Sequence, residues 1–343
     1  MEIGHTKSLA EAFQCRGLTQ HAKPHFLERY PRDNNSFYLI FDPVLSKRIL
    51  ASRSFSAFNY FKPGFERFSS KDEPLNWIEG YFDANLLFKE GKSHQADKKT
   101  IYRLLETMEQ DLKAFQPTIE RYFEKRRRHI KSAIEFAHSL TRICFGVLIS
   151  NLLDIPLRRA LRTLSMRQNV WFVYFHPSRQ KAMNSALAYL YQGEVPPGEN
   201  KPEHFEHILA QSLIVMGYDP LVGSICASIA EGRTEDFAAG SYRYCPTSFV
   251  SRQCKQTVVI DNVQFAPGDV CFTSLLPASD QHESHAPSLA YGAGPHVCVG
   301  KSLSLLILAI AQDVYHNSFP KGFEIACTIA PNGAFLDFKR QSP

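Results

Sequence analysis

One short stretch of this chain concentrates residue types that chemistry needs. It reads Tyr291-Gly292-Ala293-Gly294-Pro295-His296-Val297-Cys298-Val299-Gly300 and runs into an apolar helix from Leu303 to Ala311. Cys298 stands where a loop enters a helix. Backbone N–H groups left unpaired at a helix start, together with the positive end of its dipole, stabilise a thiolate and donate hydrogen bonds to its sulfur. Glycines at 292, 294 and 300 let the backbone turn sharply and pass close to a flat object that a Cβ would hold away. Outside such a setting a cysteine reads as a small buried hydrophobe, and that reading suits the other seven.

A thiolate presented beside a flat surface is what an axial ligand to haem iron requires. The stretch resembles the cysteine-ligand loop of the cytochrome P450 superfamily, F-x-x-G-x-H/R-x-C-x-G, with Tyr291 standing for the phenylalanine. Further matches keep to the family's chain order. His94-Gln95-Ala96-Asp97-Lys98 resembles its H-x-x-x-R, with lysine replacing arginine. Tyr242-Arg243-Tyr244-Cys245-Pro246 looks like the end of its K helix, and Arg252 with the residues through Phe265-Ala266-Pro267-Gly268-Asp269-Val270 looks like its next segment. The resemblance implies haem b as cofactor, Cys298 as ligand to its iron, and Gly292 and Gly300 shaping the cradle. It also implies that His94, Lys98, Arg252 and His296 hold the two propionates, because buried carboxylates need charged or donor partners.

Two departures bear on mechanism. Met216-Gly217-Tyr218-Asp219-Pro220 aligns with the family's A-G-x-D/E-T, whose acid and alcohol deliver protons during oxygen activation. Asp219 keeps the acid and Gly217 the glycine, while Pro220 takes the place of the threonine hydroxyl. Asp219 with ordered water, Ser212, Ser224 or a hydroxyl of the substrate are the alternatives for the proton. The family's E-x-x-R would put glutamate where Gly240 stands, leaving Arg243 to find Glu235, Asp236 or backbone carbonyls, since an unpartnered buried guanidinium is costly. The span Gln281 to Ala290, just before the cysteine loop, is shorter than in the family and lacks another arginine of that network.

The elements that must position these residues are legible from periodicity. Ser36 to Phe41 predicts a strand, and Pro43 to Leu50 a helix with proline in its first turn. Apolar residues recurring at three and four, as in Ile101, Leu104, Leu105, Met108 and Leu112, predict several helices between about Ser93 and Leu152. An aromatic stretch, Trp171 to Phe175, ends a further helix near Pro177, and the resemblance places it over the substrate pocket. After the loop Glu194 to Glu199, a helix from about Glu203 to Glu231 is apolar on most faces. Such a helix is central in its fold, and Pro220 predicts a kink near residues 216 to 220. Thr257 to Ile260 and Val263 to Phe265 around Asp261-Asn262 predict a β-hairpin, and the last helix begins near Val299. The expected architecture is mainly α with a small β portion, a single P450-like domain over residues 1–343, with haem between the long central helix and the cysteine-loop helix. Two domains is the weaker alternative.

Composition narrows the class. Of 343 residues 44% are hydrophobic and 21% charged, which suits a soluble globule rather than a disordered or low-complexity chain. The net charge of +5 is small and dispersed. The basic run from Lys125 to Lys131 lacks interleaved aromatics, so nucleic acid is not expected; it reads as a solvated helix end, with docking of an acidic electron carrier as the functional alternative. Eight cysteines without a C-x-x-C pair exclude a zinc knuckle and a disulfide scaffold. The first residues lack a secretory signal's apolar segment, and the longest apolar run, Leu303 to Ala311, falls short of a membrane span, so a cytoplasmic monomer is the expectation. By resemblance the protein is a soluble, bacterial-type haem-thiolate monooxygenase that tailors a small-molecule secondary metabolite with O2 and electrons from a ferredoxin or flavodoxin. The alternatives are a haem-thiolate dehydratase, isomerase or peroxide-dependent oxidant, or a haem-binding protein without catalysis.

Overall fold

Asp42 and Pro43 show how locally this sequence dictates its elements. Helix α1 (Pro43–Ala51) is capped by the Asp42 carboxylate, which accepts from the Leu45 N–H at 2.7 Å, and proline fills a position whose N–H would be unpaired in any case. The structure is a computed structural model that describes residues 2–4, 26–32, 35–57, 75–168, 177–192, 205–243, 247, 249–275, 289–323, 327–330 and 337–340. The aromatic stretch Trp171 to Phe175, the loop Glu194 to Glu199, and Tyr244 to Pro246 lie outside the described residues.

Most described residues are helical. After α1 come α2 (Asn76–Ala84), α3 (Gly91–Arg126), α4 (Ala133–Leu152), α5 (Leu157–Met166), α6 (Pro177–Leu190), α7 (Phe205–Ser212), α8 (Tyr218–Ala230), α9 (Phe237–Arg243) and α10 (Lys301–Ser318). Helix α3 buries Ile101, Leu105, Met108, Leu112, Ile119 and Phe123, one stripe at helical spacing, and leaves its basic end in solvent. Ser132 starts α4 by accepting from the Glu135 N–H. Helices α7 and α8 are two parts of one long helix joined by a π-helical turn, Leu213–Gly217. Pro220 cannot donate to the Met216 carbonyl, and the ladder loosens one turn earlier, where the kink was expected. Leu213, Leu221 and Ile225 of this helix share the main core with Phe136, Leu140 and Cys144 of α4 and with Leu303 and Ile307 of α10.

Two helical stretches, Ala133–Leu152 and Phe205–Ala230, are long and apolar enough to cross a membrane by length and composition, beyond what the contiguous apolar runs of the sequence suggested. Both are mostly buried in the core, as central helices of a helical fold are.

The β portion gathers the chain's early and late parts. Its strands are β1 (Glu2–Gly4), β2 (Phe26–Arg32), β3 (Asn35–Ile40), β4 (Phe55–Ala57), β5 (Phe249–Cys254), β6 (Val258–Ile260), β7 (Val263–Phe265), β8 (Val270–Ser274), β9 (Cys327–Ala330) and β10 (Asp337–Arg340). The larger sheet runs β1-β2-β3-β8-β5-β4, with β3 parallel to β8 and β5 antiparallel to both its neighbours. In that register Arg252 lies between Ala57 and Cys271. The hairpin β6-β7 turns on Asp261 and Asn262, both at positive φ (49° and 65°), as a two-residue hairpin loop demands.

Candidate active site

The loop ahead of α10 closes on itself. The Cys298 N–H donates to the Tyr291 carbonyl at 2.8 Å, and the Val297 N–H to Gly294 at 3.2 Å, around the 3-10 turn Gly294–His296. Gly292 and Gly294 both have positive φ. At Gly294 a Cβ would lie 2.6 Å from the Leu50 carbonyl oxygen and 2.7 Å from the Ala51 Cα, so the end of α1 meets the loop where only glycine fits. The Gly300 N–H donates to the Cys298 sulfur, and a Cβ on Gly300 would come to 4.0 Å from it.

Among the described cysteines Cys298 is exposed, whereas Cys144, Cys226, Cys254 and Cys271 are buried. Burial pushes the Cys298 thiol up, while the Gly300 N–H, Lys98 and Lys301 pull it back down. Lys301, the first residue of α10, lies over the rings of Tyr242 (5.5 Å) and Tyr291 (5.6 Å). A cation at a helix start opposes the dipole, and a thiolate in front of it offsets that cost.

His94 and Lys98 occupy the first turns of α3, Arg252 the middle of β5 and His296 the cysteine loop, and the fold brings them together. The His94 and His296 rings are 4.4 Å apart. Lys98 Nζ donates to the carbonyls of Pro295 at 2.7 Å and Val297 at 3.4 Å, which pins α3 to the loop. Burial, then Arg252, His94 and Lys98, push His296 down to about 3. His94 is lowered by burial and then by Lys98; Lys98 is lowered by burial against the opposing pull of Cys298. Arg252, 4% exposed, is pushed down to about 10 by burial, with Glu90 acting in the opposite sense. Its guanidinium donates to the Ser251 carbonyl at 2.8 Å and, among the described residues, meets no carboxylate within ion-pair distance. Glu90 is engaged elsewhere, accepting from the Ala57 N–H and pairing with Lys255 at 3.0 Å. Arg252, His94 and Lys98 all disfavour a proton on His296, and the nearby acids Glu90 and Asp97, which favour a proton on His94, are paired with Lys255 and Lys89, so the four groups form a site that an anionic ligand would balance.

The central helix holds its three expected residues differently. Asp219 is locked in a bidentate pair with Arg167 (2.5 and 3.0 Å), and that guanidinium lies flat over the Tyr218 ring at 3.7 Å. Gly217 faces α4, where a Cβ would meet the Phe145 ring at 3.4 Å, an ordinary contact distance. Pro220 contributes the π turn. Ser212 donates to the Ile208 carbonyl at 2.8 Å and lies 3.5 Å from the Tyr81 hydroxyl, and Ser224 is buried within α8.

Gly240 has a physical reason. A Cβ there would overlap the Ser228 hydroxyl oxygen and come to 3.1 Å from the Ser228 Cβ, so α9 approaches α8 too closely for glutamate. Asp236 is occupied in capping α9, accepting from the Ala239 N–H at 2.8 Å. The side chain of Arg243 lies outside the described residues.

No family model and no curated protein matches the sequence. Solved structures do match. P450BioI in complex with an acyl carrier protein ligated to hexadec-9Z-enoic acid aligns with a TM-score of 0.69 at 15% identity, over 92% of this chain and 94% of that one. The chain has the cytochrome P450 fold. OxyC, a cytochrome P450 implicated in an oxidative C–C coupling during vancomycin biosynthesis, aligns at 0.63 and 16% identity over 92% and 90% of the two chains. PksS, the cytochrome P450 of the bacillaene polyketide synthase of Bacillus subtilis 168, aligns at 0.63 and 12% over 96% and 95%. Identity this low carries the P450 fold and leaves the chemistry to the residues.

The residues present fit haem. The donor set is one exposed cysteine, with an N–H and two lysines that favour its thiolate, beside the group His94, Lys98, Arg252 and His296, in which Arg252 has no carboxylate within ion-pair distance among the described residues. Sequence reasoning missed Lys301, although a lysine opening a helix directly after Gly300 was itself a signal. It also missed Arg167, which is 52 residues from Asp219 and carries no local mark.

Proposed function

We propose that the protein is a haem-thiolate oxidoreductase with Cys298 as axial ligand, acting as a monooxygenase on a small-molecule secondary metabolite with electrons from a ferredoxin or flavodoxin, in the cytoplasm. The observation that carries this reading is the conjunction of a solvent-exposed cysteine just ahead of α10 with the cluster of His94, Lys98, Arg252 and His296, whose Arg252 meets no carboxylate within ion-pair distance among the described residues, on a P450 fold. Haem, when bound, supplies the oxygen chemistry, and electron donation from the thiolate favours O–O cleavage.

The chain's own residues bind, orient and manage protons. The Gly300 N–H, Lys98 and Lys301 work against the burial that pushes the Cys298 thiol up, and so favour the thiolate form that iron would bind. Arg252 and Lys98 would offer fixed positive charge to haem propionates, and the two histidines, pushed down by burial, would offer ring N–H donors to them. Gly292 and Gly294, both at positive φ, shape the loop that would carry Cys298 toward the haem. Asp219 moves a proton inward only when its fork with Arg167 opens, which makes that pair the control point of proton supply.

A second reading rests on the same helix. Pro220 offers no hydroxyl and Asp219 is held by Arg167, an arrangement that also suits dehydration, isomerisation or peroxide-dependent oxidation, none of which draws protons through that groove. Substrate-dependent consumption of NAD(P)H and O2 with a surrogate reductase separates the two. Turnover that consumes both supports the first; turnover that consumes neither overturns it.

A further inference from the structure

A cavity with no residue of the cysteine loop in its lining opens beside α4. It holds about 470 Å3, opens to solvent, and is walled by α4, α5, Arg167 and the start of α8. That volume suits a ring-bearing small molecule. Ile134 and Leu164 give it an apolar wall, Ser139 and Ser165 give hydroxyls, and Arg142 and Arg167 give two guanidiniums with His138 beside them. Arg142 donates to the Ser165 hydroxyl at 3.4 Å and, among the described residues, meets no carboxylate within ion-pair distance. Glu135 is the carboxylate at the rim, and it is turned to the helix start, accepting from the Lys131 N–H at 2.9 Å. His138 is lowered by burial and then by Arg167, so its ring contributes no charge of its own near neutral pH. Two guanidiniums lining one cavity with an apolar wall, Arg142 without a carboxylate partner among the described residues and Arg167 forked to Asp219, match an aromatic or short-chain carboxylate, whose planar head takes N–H donors while its body lies on Ile134 and Leu164.

We propose that this cavity is a binding site for a small organic carboxylate, seated between Arg142 and Arg167, and that its ligand shares Arg167 with Asp219. Arg167 lines the cavity while its fork holds Asp219, so ligand and Asp219 compete for one guanidinium. Occupancy therefore loosens the fork on Asp219, and removal of the Asp219 charge favours the ligand by the same linkage.

Calorimetric titration of the full-length protein as purified with benzoate tests this, with the Soret spectrum measured in parallel. The expected result is saturable binding without a Soret shift, weakened about 10-fold or more in Arg142→Gln through loss of a charged hydrogen-bonding partner, and tightened several-fold in Asp219→Asn. Absence of binding, binding unchanged in Arg142→Gln, or binding accompanied by a Soret shift overturns the site. Weaker binding in Asp219→Asn overturns the sharing of Arg167. Absence of any Soret band would instead sink the haem reading and leave the benzoate titration readable.

Discussion

Substituting Gly240 with alanine tests why the P450 fold here lacks an acid at that position. The new Cβ would occupy the space of the Ser228 hydroxyl oxygen, which now donates to the Ser224 carbonyl at 3.0 Å within a buried turn of α8. Ser228 can rotate away only by giving up that hydrogen bond, at about 1 kcal/mol. The Cβ would then still face the Ser228 Cβ at 3.1 Å, tighter than ordinary contact, and easing that costs roughly another 1 kcal/mol. Gly240→Ala is therefore expected to lose about 2 kcal/mol, a fall in Tm of about 3 °C for a chain of this size. Ser228→Ala alone loses about 1 kcal/mol, and because it removes the overlapping oxygen the double variant is less destabilised than the sum by about 1 kcal/mol. Urea and thermal unfolding of the four proteins of the cycle measure this. A loss below about 0.5 kcal/mol for Gly240→Ala, or strict additivity, would refute the close-approach argument.

Arg252→Met is expected to raise the Tm of the haem-free protein, because it removes a buried guanidinium that has no carboxylate partner, while weakening haem binding by about 10-fold or more in a haem titration. Equal effects on both would contradict its role toward an anion. For His296 the sign is set by linkage: its folded value of about 3 lies below its ordinary value of 6.5, so the unfolded chain binds the extra proton and stability is lost as pH falls from about 6.5 towards 3. His296→Gln should accordingly flatten the pH dependence of Tm in the haem-free protein across that range, and an unchanged slope would refute the assignment. Asp219→Asn strands the nearly buried Arg167 guanidinium and is expected to cost about 3 kcal/mol by urea unfolding, against almost nothing if the pair were a surface contact.

What the sequence disclosed and what it hid divide along physical lines. Short-range chemistry was legible: Asp42-Pro43 start α1, Asp261-Asn262 turn the β6-β7 hairpin, and Pro220 marks the irregular turn of the central helix. Each depends on backbone preferences of a few neighbouring residues. The grouping of His94, Lys98, Arg252 and His296 was reached only through a family pattern, since no local periodicity ties α3, β5 and the cysteine loop together. Contacts set by tertiary approach were not legible. The fork between Arg167 and Asp219, the placement of Gly217 opposite Phe145, and the closure of α9 on Ser228 all depend on how helices lie against one another. Contiguous apolar runs also understate the apolar character of α4 and the α7-α8 helix, whose charged residues are few and scattered.

The central claim is that Cys298 is the axial ligand, and the reduced, CO-bound absorption spectrum tests it most directly. The wild-type protein is expected to give the red-shifted Soret band of thiolate ligation, and Cys298→Ala to lose that band while keeping bound haem through Arg252, Lys98 and the two histidines. The same thiolate-type spectrum in Cys298→Ala, or no haem in the wild type, would contradict it.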